Sequence, residues 1–298
     1  MNNMLNDIFN RPNSPVEKKY FENHTIYVKR DDLLDPEFSG NKARKFYYYL
    51  QSNLPDIKKV VSYGSNQSNA MYSLSVLAKM KEWEFEYYVT HLPTYLKENL
   101  HGNLNYALKN GMKLHVNEHK PNRADIENKS VLFIEEGGRE GYAQYGLKEL
   151  SDEIVQWKRE IGFDEINIFL PSGTGTTALY LSKYSNDNIY TTACVGDSEY
   201  LKKQFKMIEE NEDNYPIIIS GSKKRHFGKL YRESYNIWLK LQAEMGIEFD
   251  LLYDPHGWLT LLENPEIFDK PLLYIHQGGL IGNESMLARY QRKYSENI

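Results

Sequence analysis

The order of elements in the sequence predicts an α/β protein made of two open, twisted parallel-sheet units that share a cleft. Three observations carry this. Short β-branched or aromatic runs alternate with helix-length amphipathic segments. Ten such runs are many for one doubly wound sheet. The loops richest in glycine and hydroxyls fall where a run passes into a helix, the edge at which α/β folds bind ligands.

The strand runs are TIYVK (25–29), KVVSY (59–63), FEYYVT (85–90), KLHV (113–116), VLFIE (131–135), INIFL (166–170), IYTTACV (189–195), PIIIS (216–220), FDLLY (249–253) and LLYIH (272–276). Apolar residues between them recur at three-to-four spacing, as in Ala70, Met71, Leu74, Leu77 and Ala78, or Leu150, Ile154 and Trp157. The strongest linker signals are KPNRADIENKS (120–130) and GGREGYAQYG (137–146).

Composition narrows the function classes. The chain has 298 residues, 41% hydrophobic and 26% charged, with a net charge of −5. A pI near 6.0 gives no reason to expect nucleic acid or an anionic membrane as partner. No apolar run approaches the length of a bilayer span, and the polar stretch MNNMLNDIFNRPNSP (1–15) does not resemble a secretion signal, so a cytoplasmic enzyme is expected. The lone Cys194 excludes an intrachain disulfide and sits in the apolar TTACVG, where it reads as core. His115 and His119 have no third ligand nearby in sequence, so no metal site is expected.

Three strand–helix junctions carry chemistry. In SGNKARKF (39–46), Ser39 or Asn41 can cap a helix beginning near Lys42. A first-turn lysine opposes the helix dipole; it either stays solvated or becomes a neutral, nucleophilic amine. LPSGTGTTALYL (170–181) places Gly173, Gly175 and the hydroxyls of Ser172, Thr174, Thr176 and Thr177 at a helix start, a cradle for a phosphate. It lacks the lysine of a Walker A loop. It also fits G-x-G-x-x-A with Asp197 some twenty residues on, so a nicotinamide-binding oxidoreductase is an alternative. In VSYGSNQSNAMYSLSVLAK (61–79) a loop of amides and hydroxyls precedes a helix that Ser68 or Asn69 can cap, and it can hold a carboxylate. A lysine, a phosphate cradle and a carboxylate loop are the parts of a pyridoxal phosphate site.

Between about residues 28 and 281 the chain resembles the 1-aminocyclopropane-1-carboxylate deaminase and D-cysteine desulfhydrase family of fold-type II, tryptophan synthase beta-like, pyridoxal phosphate enzymes. KRDDLLDPEFSGNKARK, SYGSNQSNAMYSLSVLA, FIEEGGREGYAQYG, SGTGTT, LLYDPHG and HQGGLIG follow the family's motifs in the family's order. The resemblance implies pyridoxal 5'-phosphate in the cleft between two domains: residues 1–51 plus 142–298 as the large cofactor-binding domain and 52–141 as the small one. It makes Lys42 the Schiff-base lysine. Asn69, Ser172, Gly173, Thr174, Gly175, Thr176, Thr177, Asp254 and Gln277 fall at the cofactor, with Asn69 near its 3′ oxygen and Asp254 directed at the ring nitrogen. Ser65, Gln67, Ser68, Phe227 and Tyr253 fall at the substrate, and Lys42, Ser68 and Tyr253 act in catalysis.

The implied activity is a deaminase or desulfhydrase-like lyase or hydrolase. It would convert a small amino acid to a 2-oxo acid and ammonia, in a homodimer by analogy with the family. The alternatives are a racemase or eliminase of another small amino acid, and a non-catalytic cofactor-binding member. Departures from the family pattern are Ala70, where the family has Gln or His, Phe227, where the deaminases have a second active-site tyrosine, and Asp254, where they have Glu. Losing an amide and a phenol weighs against cyclopropane-ring opening, because buried polar partners discriminate small substrates.

Overall fold

The computed structural model describes residues 13–117 and 119–294. Residues 1–12, which make up most of the stretch read for a secretion signal, lie outside the described residues.

Two sheets organise the chain. The larger is six-stranded, in the order β1 (Val16–Phe21), β2 (His24–Arg30), β10 (Leu272–His276), β7 (Asn167–Ser172), β8 (Asn188–Ala193) and β9 (Ile217–Ile218). The smaller is four-stranded, in the order β5 (Lys113–Val116), β4 (Glu84–Val89), β3 (Lys59–Tyr63) and β6 (Val131–Ile134). Every pairing is parallel except β1 with β2. That hairpin turns on Glu22 and Asn23, with φ of 48° and 65°, as a two-residue turn matched to strand twist requires. Its first strand, VEKKYF, carries two lysines on an open edge, which blunts edge-to-edge association and hides the strand from an apolar search.

Helices cover both faces of the large sheet, so its central strands are apolar on both sides. Along β10, Leu272 and Tyr274 join the core built by α9 (Arg232–Met245) and α10 (Asp254–Leu262). Leu273 and Ile275 join the opposite core under α6 (Ala143–Ile161) and α7 (Thr176–Tyr184). The small sheet has its own core with α1 (Gly40–Gln51), α2 (Asn69–Lys81) and α4 (Gly102–Lys109), and the short α3 (Thr94–Glu98) adds Leu96 to it. Its members include Phe46, Tyr49, Leu74, Tyr87 and Leu104. Among the described residues no helix is long and apolar enough to cross a membrane.

Two expectations are corrected. FDLLY (249–253) is not a strand; it is a turn leading into α10. The Asp250 carboxylate accepts the N–H groups of Leu252 and Tyr253 at 2.8 and 2.6 Å, which curls the backbone while Phe249 and Leu251 still reach the core. Segment 120–130 is not a linker between units but a crossover inside the small sheet, carrying the short α5 (Arg123–Ile126). Segment 137–146 does lead from the last small-sheet strand into α6.

Candidate active site

The three cations of SGNKARKF meet three fates. Arg44 turns away from the cleft and is buried between Asp31, at 2.8 and 3.1 Å, and Glu153, at 2.6 and 2.8 Å. Lys29 shares Glu153 at 2.6 Å, and Ser14 donates to Asp31 at 2.6 Å. This network fastens α1 to the end of β2 and to α6. With Arg44 held on one side of the helix, Lys42 and Lys45 line a cavity of about 750 Å³. That volume is typical of a site for a small ligand.

The start of α1 is set by backbone contact rather than by a side-chain cap. Ser39 occupies the cap position without a side-chain bond, and Asn41 lies in the first turn, so neither expected cap forms. Gly40 has φ +67°, and a Cβ there would stand 2.1 Å from the Gln277 carbonyl oxygen; no other residue fits. Asn41 donates its backbone N–H to that carbonyl at 3.0 Å and its side-chain amide to Gln277 Oε1 at 2.8 Å. Gln277 donates onward to the Pro171 carbonyl at 2.6 Å. Lys42 Nζ rests on Asn41 Oδ1 at 3.1 Å. Burial lowers the Lys42 ammonium to about 8, against the pull of the Asp250 carboxylate. Desolvation is thus what shifts the amine toward its neutral form.

The hydroxyl loop closes the cavity beyond Pro171. Gly175, at φ +71°, ends the turn from β7 and starts α7. The four hydroxyls are not equivalent. Ser172 Oγ is paired with Thr191 Oγ1 at 2.6 Å in the sheet. Thr176 is fully buried, and its side chain is bonded to Thr174 Oγ1 at 3.2 Å rather than lining the cavity. Thr177 lines the cavity, and its buried Oγ1 has no hydrogen-bond partner. Lys45 donates to the Gly137 carbonyl at 3.0 Å, and a Cβ on Gly137 would touch Thr174 at 3.0 Å, so this second lysine is packed against the same loop. Burial, reinforced by Lys42 and Arg139, pushes its ammonium well below the usual value.

The 64–69 loop forms the facing wall. Ser68 is the N-cap of α2, accepting from the N–H groups of Ala70 and Met71 at 3.1 and 3.4 Å. Its hydroxyl also bonds the buried Tyr87 phenol, which fixes its direction. Asn69 accepts from Asn103 at 2.6 Å and lends its amide to Asp250. Gln67 donates to the His101 carbonyl at 3.2 Å and leaves a buried Oε1 without a partner. Ser65 lines the same wall. Ala70 is 2% exposed and packs in the small-sheet core, where the family's polar side chain would be surrounded by apolar groups.

Around the 250 turn, burial raises the Tyr253 phenol far above its ordinary value, so it stays protonated. Its ring meets Phe227 at a centroid distance of 5.2 Å and packs beside Gly173. Phe227 is 43% exposed at the cavity mouth. Asp254 lines the cavity, but both its oxygens are taken: Tyr274 donates to one at 2.5 Å and the Asp250 N–H to the other at 2.9 Å. Burial and the Asp250 charge raise its pKa well above the ordinary value, against the two hydrogen bonds it accepts. Asp250, raised to about 6 by burial, is the acid that faces Lys42.

Every residue expected at the site except Thr176 lines this one cavity. Sequence reasoning missed Lys45, Asn103, Asp250 and the cavity-facing side of α11 (Gly282–Tyr294). Asp250 left a signal, an acid two residues before an N–H that needs an acceptor; the others are brought in by tertiary structure. Asp197, the acid of the nicotinamide alternative, is spent capping α8 (Ser198–Lys206) by accepting from Tyr200 at 2.9 Å.

No family model matches the chain. It is 25% identical to a protein of Pyrococcus furiosus provisionally named 1-aminocyclopropane-1-carboxylate deaminase, over 86% of this chain and 85% of that one. A Thermotoga maritima protein with the same provisional name is 24% identical, over 90% and 92%. A rice protein (Oryza sativa subsp. japonica) provisionally named D-cysteine desulfhydrase 2, mitochondrial, is 21% identical, over 91% and 81%. Among solved structures, an ACC deaminase homologue superposes with a TM-score of 0.76 at 22% identity, covering 92% of this chain and 93% of that one. The serine racemase of Dictyostelium discoideum superposes with a TM-score of 0.64 at 15% identity, covering 92% and 96%. The fold is that of the fold-type II enzymes, and across most of its length the chain resembles the 1-aminocyclopropane-1-carboxylate deaminase and D-cysteine desulfhydrase family.

Proposed function

We propose that the chain is a pyridoxal phosphate-dependent lyase or deaminase that converts a small amino acid to a 2-oxo acid and ammonia. One observation carries the reading: a partly neutral lysine and an orphaned threonine hydroxyl at a helix N-terminus line the same cavity. The residues fit the cofactor. Thr177 Oγ1 lacks a partner that a phosphate oxygen supplies, the first N–H groups of α7 add donors, and the Lys45 amine stands beside the loop on the Gly137 carbonyl.

When bound, the cofactor supplies the electron sink that lets a bond at the substrate's Cα break. The protein's part follows from its own groups. Lys42 would hold the cofactor covalently through Nζ; with a pKa of about 8, roughly one amine in ten is neutral at pH 7. Ser65, Gln67 and Ser68 would hold the substrate carboxylate at the start of α2. Lys42 or Ser68 takes the Cα proton. Tyr253, kept protonated by burial, donates one on the side-chain end. Asn69 would contact the cofactor from a position fixed by Asn103 and Asp250.

Absorbance is the test. Purified protein loaded with pyridoxal phosphate is expected to show a band at about 410–420 nm that borohydride bleaches, the behaviour of a lysine-bound carbonyl. Lys42→Ala is expected to lack the band; a variant that keeps it removes Lys42 as the anchor. Phe227 favours a second reading as a non-catalytic binder, because it offers no phenol at the mouth. Turnover of D- and L-amino acids by the banded protein separates the two.

A further inference from the structure

One wall of the cavity has no part in the reading above. Helix α11 presents Gly282, Ser285, Met286, Arg289 and Arg292 to it, a stripe at three-to-four spacing along one face. Three of these are polar, and none has an acidic partner among the described residues. Arg289 is half-buried, and its guanidinium donates to two uncharged groups, the Gly228 carbonyl at 2.5 Å and Met286 Sδ at 3.2 Å. Arg292 lies over the Tyr95 ring at 4.1 Å. Ser285 Oγ, one turn before Arg289, is buried without a hydrogen-bond partner. The acids that line the cavity, Glu136, Asp250 and Asp254, lie on other segments and do not pair with Arg289. Burial and the neighbouring Arg292 lower the Arg289 pKa against the opposing pull of Tyr290.

A half-buried guanidinium without a counter-ion is costly unless a ligand brings one. We propose that Arg289, assisted by Ser285 and Arg292, forms a distal anion pocket, so that the preferred substrate is a short amino acid whose side chain ends in a second acidic group. This deepens the proposed function and rests on it for the amino-acid end: the α2 loop takes the α-carboxylate, and α11 takes the far one. The Arg289 bond to Gly228 also ties the pocket to the loop that carries Phe227. The wall that departs from the family at position 227 is thus the wall that reads the side chain.

The test uses protein loaded with pyridoxal phosphate, titrated calorimetrically with succinate and with butyrate, which differ only by the distal carboxylate. Succinate is expected to bind at least tenfold more tightly. Arg289→Gln should reduce that ratio to below threefold, Arg289→Lys should retain part of it, and Ser285→Ala should lower it two- to fivefold. Equal affinities in the unmodified protein, or an unchanged ratio in Arg289→Gln that keeps its visible band, overturn the pocket. A turnover ratio of 3-hydroxyaspartate to serine, each losing its β-hydroxyl as water to give a 2-oxo acid and ammonia, that follows the same order of variants supports it; a ratio indifferent to position 289 counts against it. The visible band is read on the same samples. Loss of the band with the succinate preference intact removes the cofactor reading alone, and a band without the preference removes the anion pocket alone.

Discussion

The two ends of the cavity are built differently. The end formed by the hydroxyl loop, Lys42 and Lys45 is made of strand termini, a helix start and backbone carbonyls, each pinned by short hydrogen bonds. The opposite end, formed by Phe227, Arg289 and Arg292, is made of long side chains on a loop and one helix face. The first end is fixed by backbone and short polar contacts, the second by side chains that can change without moving the backbone; departures from the family pattern fall at both, Asp254 at the first and Phe227 at the second.

The largest effect is expected at the first end. Lys42→Ala should abolish the visible band and reduce turnover by about three orders of magnitude or more, as loss of a covalent group does; spectra and single-turnover kinetics measure both. Lys45→Met should keep the band at saturating cofactor but weaken cofactor binding by about fivefold, the worth of one hydrogen bond at about 1 kcal/mol, read by fluorescence titration. If binding is unchanged, Lys45 is structural.

Asp250→Asn addresses the amine itself. The Asp250 carboxylate favours the charged form of Lys42, so its loss favours the neutral form. The rate of covalent cofactor attachment should rise with pH to a plateau, with a midpoint near 8 in the unmodified protein and at lower pH in the variant. A midpoint that moves upward, or stays, shows that Asp250 does not act on Lys42. The smallest effect has two signs. Thr177→Val removes an unpaired buried hydroxyl, so the cofactor-free protein should gain up to about 1 kcal/mol in thermal or denaturant unfolding, while cofactor affinity falls several-fold. A loss of stability without cofactor would mean that the hydroxyl is already satisfied.

Local chemistry decided what was legible from sequence. The loop at 172–177 and the Ser68 cap declare themselves because glycine, hydroxyl and helix periodicity lie within one short window. The turn at 249–253 misleads because four of its five residues are apolar or aromatic, while its shape is set by a carboxylate bonding to its own backbone. The strand at Val16–Phe21 is invisible to an apolar search because it is an edge with charged residues facing out. Asn103, Arg289 and Lys45 acquire meaning only when the small sheet, α11 and the 137 turn converge on one space, which no linear spacing encodes.

The relay from Asn41 through Gln277 to Pro171 works as a gauge block. Pro171 immediately precedes the hydroxyl loop, so the gap between a reactive amine and that loop is metered by a handful of atoms rather than by the packing of either sheet. Drift in the surrounding cores can then accumulate without detuning the gap, because the relay runs through backbone and amide groups and not through core side chains.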